Sequence, residues 1–460
     1  MKTMNGENAL DGSGNKSVDL FYNIGSSRNS QESILQLFKE SLVNDPTTTG
    51  AILAWARDAR SGAGERLTFR NLLRKLIGMD KSLAEKLIRL APQLGRYDDL
   101  RSALNTPLQK VALEEWAKGL EEGNELAYKW VNVKKDTLLR DHLGLNSKDF
   151  RKKIVAGRPS IVEKKMCANE WKDIDYNKVP SVAMNKHSKA FRKNDEDRFD
   201  SWVNSDVTEV KASVLYPYQV YKTSREDNAL ASKQWKAMTM EIGANILPMI
   251  DVSGSMMDPA SNNVSCLEVA VSLGVYIAQK NTGSFQNKVI TFSETPEMVE
   301  LPQTDNVRDV FYAVERTDWG MSTNFQTAYQ LILDQALQFR VSQDELPEYL
   351  VVLSDMQMNE ATEGGYGWSS QRDVPQFETA YGKMKKAFAD HGYTIPKVIF
   401  WNLNASYGNF PSTSTEEGVA MVSGFSPFIM KAIVDADLDR ISPQSIMEST
   451  IEKYVKLIED

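Results

Sequence analysis

Five oxygen-bearing side chains sit where apolar runs of this sequence end. Asn245-Ile-Leu-Pro-Met-Ile-Asp251-Val-Ser253-Gly-Ser255-Met256 reads as a short buried strand that stops in an acid, two hydroxyls and a glycine. Tyr349-Leu-Val-Val-Leu-Ser354-Asp355 is a second such strand with an acid at its end, and Trp319-Gly-Met-Ser322-Thr323-Asn324 supplies a further hydroxyl just before a helical pattern. Asp251, Ser253, Ser255, Thr323 and Asp355 thus offer two carboxylates and three hydroxyls. Such hard donors suit Mg²⁺ (or Mn²⁺), which takes about six oxygens near 2.1 Å and keeps several waters. The bland alternative is that Asp251 and Asp355 only cap helices or turns. Three separate segments would then carry the set by coincidence.

The order of these positions resembles the metal-ion-dependent adhesion site of a von Willebrand factor A domain, one for one. The resemblance implies that Asp251 and Asp355 fix the ion, directly or through water, while Ser253, Ser255 and Thr323 coordinate it. Hydroxyl ligands leave an ion more electrophilic than carboxylates would, so it grips an incoming carboxylate or phosphate and need not turn anything over. A phosphate-transfer site of the haloacid dehalogenase kind would place a second acid two residues after the first. Ser253 stands there and cannot act as a general acid, and no histidine or lysine lies near these loops in sequence. The expectation is a protein that is not an enzyme.

The elements that must position these groups alternate in type after about Gly243. Strands are expected at Ile246 to Asp251, Lys288 to Ser293, Tyr349 to Asp355, Lys397 to Asn402 and Gly418 to Ser423. Helices are expected at Ser265 to Gln279, Asn306 to Arg316, Phe325 to Phe339, Glu378 to His391 and Ser442 to Ile458. This alternation predicts a doubly wound, Rossmann-like sheet. The last helix is amphipathic and suited to packing back on the first half. A polar segment between Met356 and Val374, with Gly364, Gly365 and Gly367, offers a lid, a contact loop or an ordinary surface excursion.

Before it, Gln31 to about Trp130 carries apolar residues at three-to-four spacing, broken at Pro46, Gly62 to Gly64, Pro92 with Gly95, and Pro107. The pattern predicts short helix pairs stacked like a HEAT-type solenoid. The turn Arg57-Asp-Ala-Arg60-Ser-Gly62-Ala-Gly64-Glu65-Arg66 reads first as a helix joint pinned by ion pairs, second as a phosphate contact. It lacks the Gly-Lys-Ser/Thr of a nucleotide-binding loop.

From Lys134 to Lys193 the pattern loosens and becomes basic. Arg151, Lys152, Lys153, Lys164, Lys165, Lys186, Lys189, Arg192 and Lys193 are the candidate RNA contacts, interleaved with Phe150, Trp171, Tyr176, Phe191, Phe199 and Trp202. Cations alternating with rings suit phosphates and unpaired bases. The same run equally describes a solvated basic face over buried aromatics.

The chain has 460 residues, 42% hydrophobic and 25% charged, enough for two or three domains. Its net charge of −8 hides an asymmetry: 40 Lys and Arg face 33 Asp and Glu through Gly243, and 14 face 29 after it. A half at +7 beside one at −15 points to a polyanion partner for the first, or to mutual attraction of the two. Two cysteines, Cys167 and Cys266, support neither a disulfide framework nor a thiolate cage, and a reducing, cytoplasmic setting is expected. No signal peptide or membrane-length run is visible, so no membrane partner is expected; residues 1–20 read as a flexible polar tail.

The turn from Arg57 to Arg66, then Gly95-Arg96-Tyr97-Asp98-Asp99-Leu100, then Trp171 to Tyr176, Val179-Pro180-Ser181, Phe191 and Tyr216-Pro217, all ahead of Asp251-Val-Ser-Gly-Ser, resemble a domain family that joins a helical module to a von Willebrand A-like half. That family is related to the Ro ribonucleoprotein autoantigen, and the helical part resembles the TROVE module of telomerase-associated, Ro and vault proteins. The resemblance implies a ring of helical repeats at 21–243 closed by an A-type domain at 244–460. It also implies binding of small structured RNA on a basic surface and of single-stranded RNA ends within the ring. The competing expectation is a scaffold whose metal completes a bond to an acidic side chain of a protein partner.

Overall fold

A computed structural model of the chain describes residues 12–159, 162–212, 215–238, 245–261, 263–292, 296–317, 325–356, 384–404, 414–426, 429 and 441–459. Helices fill the first half and a mostly parallel sheet organises the second. The helical half runs through α1 (Lys16–Ile24), α2 (Gln31–Asn44), α3 (Pro46–Arg57), α4 (Arg66–Leu76), α5 (Lys81–Leu94), α6 (Gln109–Glu121), α7 (Glu125–Trp130), α8 (Thr137–His142) and α9 (Ser147–Gly157). It continues with α10 (Val162–Cys167), α11 (Ser181–Asn204, two helices meeting at a non-helical Asp195), α12 (Pro217–Glu226) and α13 (Asn228–Lys236). Side-chain caps start many of them: Asn15, Asp45 with Pro46 at the first helical position, Asp80, Asn124 and Asn146 each accept a first-turn N–H. In α4 the apolar positions Phe69, Leu72, Leu73 and Leu76 fall on one face, and all four are buried.

The expected tail ends earlier than the composition suggested. Asn15 caps α1, whose Val18, Leu20, Phe21 and Ile24 are fully buried, Phe21 lying 4.5 Å from Trp55 between ring centroids. The polar letters ahead of Lys16 concealed a run apolar enough to be buried. Residues 1–11 lie outside the described residues.

The sheet is built from β1 (Ile246–Asp251), β4 (Lys288–Phe292), β5 (Glu297–Glu300), β6 (Tyr349–Ser354), β7 (Lys397–Asn402) and β8 (Val419–Ser423), with a small hairpin, β2 (Pro259–Ser261) and β3 (Val264–Ser265), after the first strand. Its order is β5-β4-β1-β6-β7-β8; only β5 is antiparallel. Strands β1, β6 and β8 are buried at every position, as parallel strands covered on both faces must be. From β1 the chain first builds outward through β4, then returns to β6 on the other side. The carboxyl ends of β1 and β6 therefore flank the point where the winding reverses, where open α/β sheets hold ligands. Helices α14 (Cys266–Lys280) and α16 (Phe325–Phe339) pack on the sheet, and α15 (Val307–Glu315) packs on α14.

The two halves share one hydrophobic core, which runs from Val18 through Ile154 and on through the sheet to Ile458. A second, smaller core holds Ile174, Tyr176, Met184, Phe191, Phe199, Trp202 and Leu230. The helical half begins and ends on the sheet half: α1 meets β8, while α12 and α13 meet α14 and α15. At the first contact Gly25 donates its N–H to Ser423 Oγ at 3.0 Å, and a Cβ at Gly25 would collide with the Ser423 carbonyl. Arg225 seals the second, paired with Glu315 at 2.6 Å. The last helix, Pro443–Glu459, packs on α3 as its amphipathic pattern suggested.

The turn between α3 and α4 is an ion-paired joint. Arg57 is buried and pairs with the buried Asp99 at 2.7 Å; Arg70 reaches Asp99 at 2.6 Å and Asp98 at 2.8 Å; Arg28 pairs with Glu65 at 2.6 Å.

Candidate metal site and basic face

Asp251 ends β1 fully buried. Its Oδ1 accepts the Ser253 N–H at 2.9 Å and its Oδ2 accepts the Ser354 hydroxyl at 2.5 Å, so the ends of β1 and β6 are tied through this carboxylate. Burial pushes its proton affinity up, against the hydrogen bonds from Ser354 and Ser253. Beyond it the loop turns through the short 3₁₀ segment Gly254–Met257, which brings Ser253 Oγ and Ser255 Oγ to 3.1 Å. Two ligands on adjacent corners of a Mg²⁺ octahedron stand about 3 Å apart, so this pair fits one ion. Asp355 follows β6 and is fully buried. Met356, next in the chain, is left-handed at φ 62° and donates its N–H to Ser354 Oγ at 2.9 Å.

Four of the five expected metal ligands therefore lie at adjacent strand ends. Thr323 lies outside the described residues, as does the segment 357–374. Among the described residues no three His, Cys, Asp or Glu groups converge as a metal cluster, so an ion here needs the hydroxyls. The buried Asp251 carboxylate and the spacing of the two hydroxyls fit Mg²⁺ or Mn²⁺.

One acid near this site is absent from the expected set. The buried Cys266 thiol is pushed up by burial first, then by the negative charges of Asp355, Asp258 and Asp251. Asp258 is thus part of the same acidic field, although exposed, and its carbonyl accepts the Cys266 N–H at 3.0 Å. Seven residues after Asp251 and outside any apolar run, it carried no signal beyond its charge. The field faces the amino terminus of α14, where Ser265 and Glu268 form a capping box.

The nine candidate RNA contacts stand on two different cores. Arg151, Lys152 and Lys153 lie on α9, whose Phe150 and Ile154 belong to the large core; Lys164 and Lys165 lie on α10, and Lys186, Lys189, Arg192 and Lys193 on α11, both over the small one. Three are engaged. Arg192 pairs with Asp227 at 2.9 Å and with Asp200, Lys189 with Glu226 at 2.8 Å, and Lys165 donates to the Asp173 carbonyl at 2.5 Å. Arg151, Lys152, Lys153, Lys164, Lys186 and Lys193 make no ion pair among the described residues, and of these only Lys153 is half-buried.

The interleaved aromatics are not available to bases. Phe150, Tyr176, Phe191, Phe199 and Trp202 are buried, the last four packed on one another at 5.1 to 5.8 Å between centroids; Trp171 alone is half-buried. The observed arrangement is the basic face over buried rings.

A family model described as a domain of unknown function (DUF7788) matches residues 245–456, and another (DUF2828) matches residues 134–246. An uncharacterized protein of Acanthamoeba polyphaga mimivirus is 25% identical over 98% of this chain and 87% of its own length. Among solved structures, the Ro (RSR) protein of Deinococcus radiodurans aligns over 94% of this chain and 93% of its own, at 12% identity and a TM-score of 0.37. No helix among the described residues is long and apolar enough to cross a membrane.

Proposed function

We propose that this chain binds small structured RNA through the phosphates, using the free cations of its helical half, while its sheet half holds one Mg²⁺ or Mn²⁺. The observation that carries the reading is the division within the basic run: among the described residues Arg151, Lys152, Lys153, Lys164 and Lys193 have no acidic partner, Lys186 lies near the Glu163 charge, and the interleaved rings other than the half-buried Trp171 are consumed by the two cores. Cations without accessible rings address phosphates and shape, not base identity. Asp251, Asp355, Ser253 and Ser255 would hold the ion, with Thr323 completing the set. When bound, the ion supplies an electrophilic position for an oxygen anion; the chain contributes the buried carboxylates and the loop that fixes the hydroxyls.

The test is a titration of labelled hairpin RNA with the full chain at rising salt. Affinity should fall log-linearly with salt, by about 0.9 log per log for each duplex phosphate neutralised. No binding at low salt, or binding indifferent to salt, overturns the proposal.

A second reading, metal-dependent adhesion to an acidic protein partner, is favoured by Met257, which is 57% exposed beside the two serines and offers an apolar lip to a protein surface. Chelation separates the two: adhesion vanishes with EDTA, while phosphate binding persists.

A further inference from the structure

We propose a nucleotide-phosphate site around Trp130, built by Arg66, Arg96, Lys129 and Arg158, none of which belongs to the nine cations above. The Arg96 guanidinium lies 4.4 Å from the Trp130 ring centroid and Lys129 Nζ lies 5.6 Å from it. Arg158 donates to the Val131 carbonyl at 2.6 Å, and its Nε is buried without a hydrogen-bond partner among the described residues. Arg66 opens α4, close enough for its charge to act on Arg96.

The acids of this region are already taken. Arg57 and Arg70 hold Asp99, Arg70 also holds Asp98, and Arg101 binds Asp136 through two hydrogen bonds of 2.9 and 2.7 Å while donating to the Trp130 carbonyl. Arg66, Arg96, Lys129 and Arg158 are left with no ion pair among the described residues. Burial first, then the Arg66 charge, lowers the proton affinity of Arg96, against the pull of Asp98 and Asp99. No acid stands in the first turn of α4 to offset Arg66 at the positive end of that helix. Asp98 and Asp99 act on Arg96 but are held by Arg57 and Arg70, so the cations around Trp130 outnumber the acids left to them and favour an anion.

The surroundings narrow the anion to one carrying a flat ring. Guanidinium planes bind phosphate through paired N–H donors and stack on aromatic systems, and here Arg96 already lies over an indole that is half-buried. Leu67, beside Arg66, is 52% exposed and gives a base or ribose an apolar surface. A nucleotide satisfies both requirements, either free or within a single strand of RNA. Only the strand form rests on the RNA-binding reading above.

The test uses the full chain, a labelled short oligouridylate and free UMP as competitor, with R66A, R66A/R96A and the α9 variant R151E/K152E/K153E. Loss of a stacked, phosphate-bound nucleotide should weaken binding roughly tenfold in R66A/R96A. The α9 variant, whose charges belong to the phosphate face proposed above, should weaken it less than R66A/R96A does. R66A, at an exposed position, should show a partial loss and guards against misfolding of the double variant. Displacement by UMP at similar concentration identifies a free nucleotide as the ligand; failure of UMP to compete identifies the strand. Oligouridylate and UMP both failing to bind the wild type, or binding unchanged by R66A and R66A/R96A, overturns the site. Hairpin RNA bound normally in either case leaves the first proposal standing.

Discussion

Tyr454 donates its hydroxyl to Asp58 Oδ2 at 2.8 Å, across 396 positions of the chain. The last helix is thereby fastened to the turn between α3 and α4, and Lys86 strengthens the junction by donating to the Ile458 carbonyl at 2.6 Å. The sheet half is held at α1, at α12 with α13, and at its own last helix, so movement at the strand ends is resisted from three directions.

Asp58 makes this junction sensitive to acid. Burial raises its proton affinity, but hydrogen bonds from the Arg60 N–H, the Ser61 hydroxyl and N–H, and Tyr454 outweigh it, leaving its pKa below the ordinary 3.8. A depressed carboxylate contributes stability that is present above its unfolded value and lost as pH falls through the folded one. Chemical denaturation of the wild type should therefore show an added loss of stability below about pH 4 that Asp58→Asn lacks, the variant being weaker at neutral pH. Identical pH profiles for the two proteins would remove Asp58 from the account.

Arg57 and Asp99 are both buried, and a Cβ at Gly95 would collide with the guanidinium. Removing the arginine leaves a buried acid answered by the half-buried Arg70 and the Arg96 N–H. Arg57→Ala should cost about 3–5 kcal/mol in urea denaturation, and Arg57→Lys a large part of that, because one ammonium cannot reproduce the planar fork. RNA affinity measured on the folded fraction should not change.

Much of this architecture was legible in sequence, and where it was not the reasons are local. Strands β1 and β7 fall where apolar runs between polar breaks put them, and α5 starts at Lys81 because Asp80 caps it. The placement of Asp251, Ser253, Ser255 and Asp355 at the ends of β1 and β6 was readable because acids and hydroxyls interrupt apolar strands, a contrast that composition exposes. Trp130 with Arg66, Arg96 and Arg158 was not, since those four come from separate turns and only the fold shows which acids are taken. The rings of the basic run failed for the opposite reason. Alternation with cations is the same letter pattern whether a ring faces solvent or the core, and Tyr176 packs on Phe191, Phe199 and Trp202.

Within the basic run the structure separates cations that make no ion pair among the described residues from those that brace the scaffold. Arg192 bridges α11 to Asp227 and to Asp200, while Arg151, Lys152 and Lys153 bridge nothing among the described residues. Reversing the three α9 charges should weaken hairpin RNA binding and lower its salt slope by about 0.9 for each phosphate no longer neutralised, with the thermal midpoint unchanged. Arg192→Ala should do the reverse, lowering the midpoint and sparing the slope. A slope unaltered by the α9 changes would move the RNA elsewhere on the molecule.

The metal prediction follows from what burial does to Asp251. A carboxylate taken out of water opposes folding at neutral pH, the direction in which burial shifts Asp251, and a bound ion would relieve that penalty. Mg²⁺ or Mn²⁺ should therefore raise the melting temperature of the wild type, by an amount equivalent to about 2.7 kcal/mol when the ion is a hundredfold above its dissociation constant, and EDTA should reverse it. Asp251→Asn keeps an acceptor for the Ser253 N–H and a partner for Ser354, so without metal it should be within about 1 kcal/mol of the wild type or more stable. With metal it should gain nothing. Ser253→Ala and Ser255→Ala should each weaken the response, because their hydroxyls stand 3.1 Å apart, the spacing that neighbouring ligands of one ion would need. Calorimetric titration gives the affinity directly, and an Asp251→Asn protein that still answers Mg²⁺ would place the ion somewhere other than the ends of β1 and β6.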